Sequence, residues 1–344
     1  MPQDKSVDVR IDNLKQLMSL ELPEAVAKAQ EIWERGQRPD VVRVRRSYLR
    51  LDEFAGVVID ERKPLPRGMR PISAQMIAPK GLTLKLHLLT LFAAQCEVAP
   101  GKKWSNPYPA EPTPQKPDSW MGLTATVARY AGPGVQASSV QTNKLRQIVE
   151  ALKALEKKNL VRSATGVAGQ VKRGVLLECE NGKSTAAATI PYTVPIENEQ
   201  FVEIPVEFFT RGWVHVLTMS EIAAILMWLD VLKFEGREIK LPGSDQTVTM
   251  GSVNSNVRHG RYGLGREAYE THQPLRAFQL LEVYDPPKRH EDGKWEGYNE
   301  DSRDMVCHQI VMTPEGFGED AGKTVLKTLR RRHATGEWGT PLGL

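Results

Sequence analysis

Two sets of acidic and basic residues have the order expected of a metal-dependent nuclease, whose carboxylates hold a metal ion beside a lysine. They are Asp230 with Glu238-Ile239-Lys240, and Asp285 with Asp292-Gly293-Lys294. Charged residues make up 26% of the sequence, so such triplets arise readily by chance. The second set also falls at the turn of a predicted hairpin. We therefore rank a nuclease below two non-catalytic functions.

Other arrangements that would support catalysis or cofactor binding fail on spacing. Gly318–Thr324 is similar to a phosphate-binding loop, but Phe317 stands where GxxxxGK[ST] requires a glycine, and Glu319 and Asp320 would repel a phosphate. The seven histidines form no His-x-His pair and no HExxH motif, and GxSxG is missing from the sequence. We expect no enzymatic activity, no cofactor and no metal site.

The composition is typical of a soluble globular protein. With 344 residues and 40% hydrophobic residues, the chain is long enough for two domains plus extensions. No apolar run approaches the roughly 18 residues that a membrane span needs, and Met1–Lys5 lacks an apolar signal region. Cys96, Cys179 and Cys307 are widely separated, which suits a reducing compartment. We expect a cytoplasmic protein without a membrane partner.

The net charge of +4 is unevenly distributed along the chain. Residues 121–200 carry ten Lys or Arg and six Asp or Glu, whereas residues 201–344 carry 17 and 21. From Arg129 to Arg173, nine basic residues are accompanied only by Glu150 and Glu156. This excess favours a polyanionic partner. A solvated basic surface without any partner is the alternative.

The first 75 residues predict a helical and extended lead-in. Apolar residues recur at helical spacing within Ile11–Met18, and Pro23 begins a second helix that ends before Gly36. A basic stretch then alternates with apolar residues, which predicts a strand with one charged face. That face could lie on phosphates or simply be exposed. Its basic residues are Arg43, Arg45, Arg46 and Arg50.

The segment from Ser138 to Asn159 predicts an amphipathic helix with defined ends. Ser138-Ser139-Val140-Gln141 fits a capping box, and Asn159 is a typical left-handed stop. At 100° per residue, the inner side of this helix is apolar and the outer side can pair with base edges and phosphates. The inner residues are Leu145, Ile148, Val149 and Leu152, and the outer ones include Ser139, Asn143, Arg146 and Gln147.

The elements around this helix are predicted in a definite order. Leu82–Val98 predicts an apolar helix, followed by an exposed, proline-rich loop over Ala99–Ser119 and a short helix within Leu123–Tyr130. After the long helix come a strand, a polar loop that carries Lys172 and Arg173, and a hairpin with its turn at Asn181-Gly182. The hairpin strands are predicted at Gly174–Glu180 and Lys183–Ile190.

This order, over Leu82–Ile190, resembles the winged helix-turn-helix family. The stretch that carries the resemblance is Ser138–Ile148, followed by Lys157–Val161. The resemblance implies that the third helix lies in the major groove of DNA and that the hairpin wing contacts the backbone. Ser139, Asn143, Arg146 and Gln147 would then contact the DNA from the helix, with the last three reading bases. Lys172 and Arg173 would contact phosphates.

A second, fainter copy of the same order follows. Thr218-Met219-Ser220-Glu221 is another capping box, and Gly251–Gly265 can hold a short helix. Arg266–Leu280 is the candidate third helix, with Arg266 and Tyr269 as candidate DNA contacts, although Pro274 would kink it. We expect the aromatic side chains here, including Tyr269, to pack in the core rather than to stack on bases. Strands are predicted at Leu281–Tyr284 and Val306–Met312, with a turn at Asp292-Gly293.

The sequence therefore predicts an α+β, mainly helical protein of tandem winged helix-turn-helix domains with an N-terminal helical extension. The predicted segments are a lead-in (1–75), a first winged domain with a proline-rich insertion (76–198), a second winged-like domain (199–315) and a basic C-terminal tail (316–344). The expected function is sequence-specific binding of double-stranded DNA, as a bacterial transcription regulator or a plasmid-type replication initiator. A homodimer is left open. The alternative is a protein-interaction scaffold, which the acidic second half favours.

Overall fold

A computed structural model describes residues 5–52, 63–77, 81–127, 137–185, 187–240, 245–285, 307–338 and 342–343. The protein is an α+β chain, mainly helical, as predicted. Its α-helices are α1 (Lys5–Ser19), α2 (Glu21–Arg35), α3 (Arg46–Leu49), α4 (Ile72–Gln75), α5 (Thr83–Glu97), α6 (Trp120–Leu123), α7 (Ala137–Glu156), α8 (Glu207–Thr210), α9 (Trp213–Val216), α10 (Met219–Glu235), α11 (Ser255–Gly260), α12 (Arg266–Glu270), α13 (His272–Ala277) and α14 (Ala321–Thr335).

The strands form small sheets. They are β1 (Val41–Arg45), β2 (Val161–Ser163), β3 (Val175–Leu177), β4 (Phe201–Pro205), β5 (Arg237–Lys240), β6 (Thr247–Met250), β7 (Leu281–Asp285), β8 (Gln309–Met312) and β9 (Leu342–Gly343). Antiparallel pairs join β1 to β4, β2 to β3 and β5 to β6. Strand β7 lies between antiparallel β8 and parallel β9.

The lead-in packs against distant parts of the chain. Strand β1 pairs with β4 over its whole length, from Val41 opposite Pro205 to Arg45 opposite Phe201. Helix α1 packs against α14 near the other end of the described chain. Buried apolar residues from all four predicted segments belong to one hydrophobic core. The division into four segments thus stays a prediction, and its boundaries are crossed by extensive contacts.

The basic stretch forms the predicted strand over Val41–Arg45, but residues 46–49 form α3. The arginines are half-buried or buried and ion-paired, so the stretch is neither a plain exposed face nor free to bind phosphates. Burial of Val42 and Val44 draws the strand into the core, and each arginine meets a carboxylate from a distant part of the chain. The pairs are Arg43 with Glu197, Arg45 with Glu180 and Glu199, Arg46 with Asp230, and Arg50 with Asp230 and Glu235.

The proline-rich segment Ala99–Ser119 is a loop, as the sequence predicts, but it is exposed over only about half of its residues. It lacks regular helices, but its aromatic residues are buried and pack on one another and on α6. Trp104 and Tyr108 are each 1% exposed, and their rings contact each other and Trp120. Three large aromatic rings bury enough apolar surface to hold this segment in the core without helical hydrogen bonds.

Helices α5, α6 and α7 and strands β2 and β3 follow one another in the predicted order, but β3 pairs with β2, and the predicted hairpin with its turn at Asn181-Gly182 does not form. Two details differ. Helix α6 lies upstream of the predicted Leu123–Tyr130, whose last three residues are outside the described part. The predicted strand Lys183–Ile190 is wrong, because the Ser184 hydroxyl donates to Glu178 (2.6 Å) and accepts from the Ile190 N–H (2.9 Å). These side-chain bonds replace a strand ladder, and the chain returns through a single bridge between Glu178 and Pro191.

The capping box predicted at Thr218 is confirmed. The Thr218 hydroxyl accepts from the Glu221 N–H (3.2 Å), and the Glu221 carboxylate accepts from the Thr218 N–H (2.7 Å), so the capping box of α10 is complete. Helix α11 lies within Gly251–Gly265, and β7 and β8 form at their predicted places. The turn at Asp292-Gly293 lies outside the described residues. A ribbon of β5 and β6 on either side of residues 241–244 is an element that the sequence did not indicate.

The candidate third helix Arg266–Leu280 is not a single helix. It is divided at Thr271 into α12 and α13. Proline has no N–H to donate and clashes with the preceding turn inside a helix. The break places Pro274 in the first turn of α13, where its missing N–H costs nothing.

Candidate nucleic-acid interface

Helix α7 is fixed to the protein by the face that the sequence predicts. Ile148, Leu152 and Leu155 are each fully buried against the core, beside α5. Lys144 on the same helix is 6% exposed and forms an ion pair with Glu21 of α2. An apolar face and one buried ion pair therefore fix the rotation of α7 about its axis.

The opposite side of α7 holds the residues predicted to read bases, and these residues differ in how exposed they are. Arg146 is exposed, whereas Asn143 and Gln147 are half-buried. Helix α7 includes Ser139, but the side chain of Ser139 lies outside the described part. Of the three predicted base contacts, Arg146 is thus the most exposed to solvent.

The end of α7 is coupled to the hairpin that follows. Asn159 adopts φ 56°, the left-handed conformation predicted for the stop. The Glu156 carboxylate accepts hydrogen bonds from the N–H groups of Ser163 (3.2 Å) and Gly169 (2.8 Å). One side chain in the last turn of α7 thereby holds the loop between β2 and β3, and the loop is positioned relative to the helix.

Lys172 and Arg173 are exposed at the end of this loop, as predicted. The backbone carbonyl of Lys172 accepts from the Ala110 N–H (2.9 Å), which anchors the pair to the proline-rich segment. Gly174 follows at φ 129°, a conformation that favours glycine, and a Cβ there would also crowd Cβ of Pro107 at 3.1 Å. Lys172 forms an ion pair with Glu111 (2.8 Å), whereas Arg173 forms none with the described residues.

Most of the basic residues between Arg129 and Arg173 already have partners, which the charge count could not reveal. Arg129 itself lies outside the described part. Lys144, Lys153, Arg162 and Lys172 pair with Glu21, Glu150, Glu178 and Glu111, respectively. Lys158 donates to the side chain of Gln75 (2.8 Å). In the described part of the chain, the members of this group without an ion pair are Arg146, Lys157, Lys158 and Arg173, and Lys158 is the one bound to Gln75.

The two candidates from the second copy differ from each other. Arg266 is exposed and pairs with Glu270 on its own helix (2.6 Å). Tyr269 is half-buried, with its hydroxyl hydrogen-bonded to Nδ1 of His308 (3.1 Å) and its ring against Trp228. The packing of Tyr269 agrees with the expectation that the aromatics here belong to the core.

A cleft of about 1110 Å³ brings together one candidate from each predicted winged domain, Gln147 and Arg266. Asn143, Arg146, Lys172, Arg173 and Tyr269 do not line it. Its wall also carries Arg70 and Lys85, to which no motif in the sequence pointed.

Lys85 is the one lysine or arginine in the apolar helix α5. A single cation in an apolar helix is the sequence signal that could have marked Lys85 as a candidate. Its ammonium donates to the His215 carbonyl (2.7 Å). Burial lowers the pKa of Lys85 to about 8, with Glu221 opposing and Arg10 reinforcing the change.

The carboxylates with nuclease-like spacing are engaged elsewhere. Asp230 is fully buried and bound by Arg46, Arg50 and Tyr262, whereas Glu238 and Lys240 lie on the exposed strand β5. Residues 292–294 of the second set lie outside the described part. Among the described residues, no three His, Cys, Asp or Glu side chains are grouped so as to hold a metal ion.

The described helices include none that is both long and apolar enough to cross a membrane. No family model matches the sequence, and no curated protein or solved structure shows significant similarity to the chain.

Proposed function

We propose that this protein binds double-stranded DNA sequence-specifically, with α7 in the major groove and the β2–β3 loop on the backbone. It would act as a transcription regulator or as a replication initiator of a plasmid or related element. The observation that carries the proposal is the exposed Arg146, without an ion pair in the described part, on a helix whose opposite face is locked into the core.

A base-reading side chain must be held at a defined position, because a bidentate contact tolerates little displacement. The buried residues Ile148 and Leu152 and the Lys144–Glu21 pair supply that constraint for Arg146. Arginine pairs with the O6 and N7 atoms of guanine, the commonest specific contact in the major groove. Helix α7 has 20 residues, about 30 Å of axis, so it can present several side chains along the groove.

The acidic balance of residues 201–344 does not by itself create an acidic docking surface. Three of its carboxylates, on Glu221, Asp230 and Glu235, are bound by arginines of the lead-in. Their charge is therefore compensated within the fold. This weakens the argument for a protein-interaction scaffold and leaves the exposed cations near α7 as the better guide to a partner.

Replacing Arg146 with Ala should impair recognition of a preferred DNA site without unfolding the protein. A preferred duplex would first be selected from a random library with the full-length chain. The variant should then lose about 1–3 kcal/mol of discrimination between that duplex and a random one. Its thermal midpoint should stay near the wild-type value, because an exposed side chain supports little packing.

Lys102→Ala removes an exposed cation far from α7 in sequence and is the control for a general loss of charge. It should leave the discrimination unchanged. Equal losses on preferred and random duplexes for Arg146→Ala would reduce that residue to a phosphate contact. A large drop in thermal stability would mean that the polar side of α7 is an internal interface.

The β2–β3 loop should contribute affinity but little sequence information. Arg173→Ala should weaken binding to preferred and random duplexes by the same factor. It should also reduce the slope of log K against log salt by about 0.9, the value for one phosphate contact. Lys172→Ala should have a smaller effect, because Lys172 must leave Glu111 to reach a phosphate. A wild-type slope in both variants would remove this loop from the interface.

A further inference from the structure

Helix α14 (Ala321–Thr335) is strongly basic. It contains Lys323, Lys327 and the run Arg330-Arg331-Arg332, but no Asp or Glu. The sequence predicts a basic tail over 316–344, whereas the structure shows an ordered helix. Asp320 caps it by accepting from the Lys323 N–H (2.9 Å), and Gly336 ends it at φ 80°.

Four of these cations form one line on the helix. Lys323, Lys327, Arg330 and Arg331 follow the i, i+4, i+7, i+8 spacing that places side chains on one face. We call them the cationic stripe. All four are exposed, whereas Ala321, Val325 and Leu329 on the opposite face are at most 1% exposed and face the core. The protein thus fixes α14 with the stripe turned outward.

The stripe is poorly neutralised. In the described part of the chain, Lys327, Arg330 and Arg331 form no ion pair, and Lys323 pairs only with its own cap, Asp320 (3.1 Å). The two residues that follow are engaged off the stripe, since Arg332 lies over the Trp338 ring (5.4 Å) and Nδ1 of His333 lies 2.8 Å from the Asp8 carboxylate. Three adjacent, unpaired cations on a rigid helix form a stronger positive surface than Arg146 gives α7.

The stability of the helix does not explain this arrangement. Cations at the end of a helix favour its dipole, which suits Arg330 and Arg331. Lys323 stands in the first turn, where the dipole disfavours a cation, and the Lys323–Lys327 and Lys327–Arg331 pairs place like charges four residues apart. A polyanion laid along the stripe would reverse both unfavourable effects.

We propose that the cationic stripe of α14 is a second DNA-binding surface, which contacts backbone phosphates without reading sequence. The proposal rests on the proposed function, because it takes duplex DNA as the polyanion. From Lys323 to Arg331 the stripe spans about 12 Å of helix axis, and duplex DNA of that length carries about seven phosphates. An anionic bilayer fits less well, because the apolar face of α14 is buried and offers nothing to insert.

The test compares two full-length variants with equal charge loss. One is Lys327→Gln/Arg330→Gln/Arg331→Gln, and the other is Lys63→Gln/Lys102→Gln/Lys103→Gln, in which three exposed lysines elsewhere are replaced. Glutamine keeps helix propensity high, so α14 should remain folded, which circular dichroism would check. Binding to a random 30-base-pair duplex is measured from 50 to 300 mM NaCl.

We expect the α14 variant to bind more weakly and its salt slope to fall by up to about 2.7, the value for three phosphate contacts. The control variant should keep the wild-type slope. The α14 variant should leave the ratio of affinities for the preferred and the random duplex unchanged. An unchanged slope in a folded α14 variant overturns the proposal. So does an effect confined to single-stranded RNA or to phosphatidylserine vesicles, which are assayed in parallel.

The outcomes also separate this proposal from the proposed function. If Arg146→Ala abolishes site preference while the α14 variant binds like wild type, the α14 proposal fails and the proposed function stands. If no preferred site exists but the α14 variant still lowers the salt slope, sequence-specific recognition fails and α14 is retained as a DNA-binding surface. If wild-type protein binds no duplex at 50 mM NaCl, both fail.

Discussion

Between pH 7.5 and pH 5 the protein should lose about 4 kcal/mol of its free energy of unfolding, because two buried histidines resist protonation. Burial lowers the pKa of His87 to about 3. Burial, with Lys85 and Lys144 adding repulsion, does the same to His215. An unfolded histidine titrates near 6.5, so the unfolded state takes up protons first and stability falls with pH below that value. Each histidine accounts for about 2 kcal/mol at pH 5.

The surroundings of both rings explain why the charged form is disfavoured. His87 shares one hydrogen bond, between Nδ1 and the Tyr48 hydroxyl (2.9 Å), and Nδ1 of His215 accepts from the Ala125 N–H (3.4 Å). In both rings Nε2 is buried without a hydrogen-bond partner among the described residues. A protonated imidazole donates from both nitrogens, so the added charge would face an apolar environment.

Urea denaturation of the full-length chain at pH 7.5, 6.0 and 5.0 measures the effect. His87→Gln and His215→Gln should each reduce the loss between pH 7.5 and pH 5 by about 2 kcal/mol, whatever they cost at pH 7.5. Leu152→Ala removes a buried side chain but keeps both histidines, so it should lower stability equally at each pH. If the histidine variants show the full wild-type loss, these two residues are not its source.

Replacing Asp230 with Ala should cost about 3–5 kcal/mol of the free energy of unfolding. Asp230 has no exposed side-chain surface and accepts from Arg46 Nε (2.8 Å), Arg50 Nη1 (3.4 Å) and the Tyr262 hydroxyl (2.6 Å). Arg50 is itself 4% exposed, so the variant would leave a buried guanidinium with Glu235 as its remaining carboxylate among the described residues. Removing one partner of a buried ion pair is costly because the other charge stays uncompensated.

Glu203→Gln is the matched control for Asp230→Ala. Glu203 pairs with Lys233 at 2.9 Å, but the two side chains are 39% and 36% exposed. Breaking that surface pair should cost no more than about 1 kcal/mol. The free energy of unfolding of both variants is measured by urea denaturation at pH 7.5. Similar losses would contradict the prediction that the buried Asp230 pairs stabilise the fold more than a surface pair does.

The sequence predicted best where local signals decide the structure. The capping box at Thr218, the stop at Asn159 and the inner face of α7 all depend on residues within one or two turns of one another. Their capping side chains and apolar spacing act on the same helix that they predict, so no knowledge of distant segments is needed.

The sequence predicted least where a residue's partner is far along the chain. The alternation of charge over Arg43–Arg50 indicated that one face is positive. It did not indicate the carboxylates at 180, 197 and 230 that bind these arginines. The prolines between residues 99 and 119 indicated a loop and concealed the burial of Trp104 and Tyr108. For the candidate interface the same limit applies, because Lys144 and Lys172 looked free until the structure paired them with Glu21 and Glu111.

The pairing of β1 with β4 has a consequence for synthesis on the ribosome. Roughly 155 residues separate the two strands, so at 5–20 residues per second β1 waits about 8–30 s for its partner. During that interval the segment that becomes β1 lacks both its partner strand and the carboxylates at 180, 197 and 199 that bind its arginines, so it remains exposed. Translation speed between residues 46 and 205 therefore sets how long this vulnerable intermediate persists in the cell.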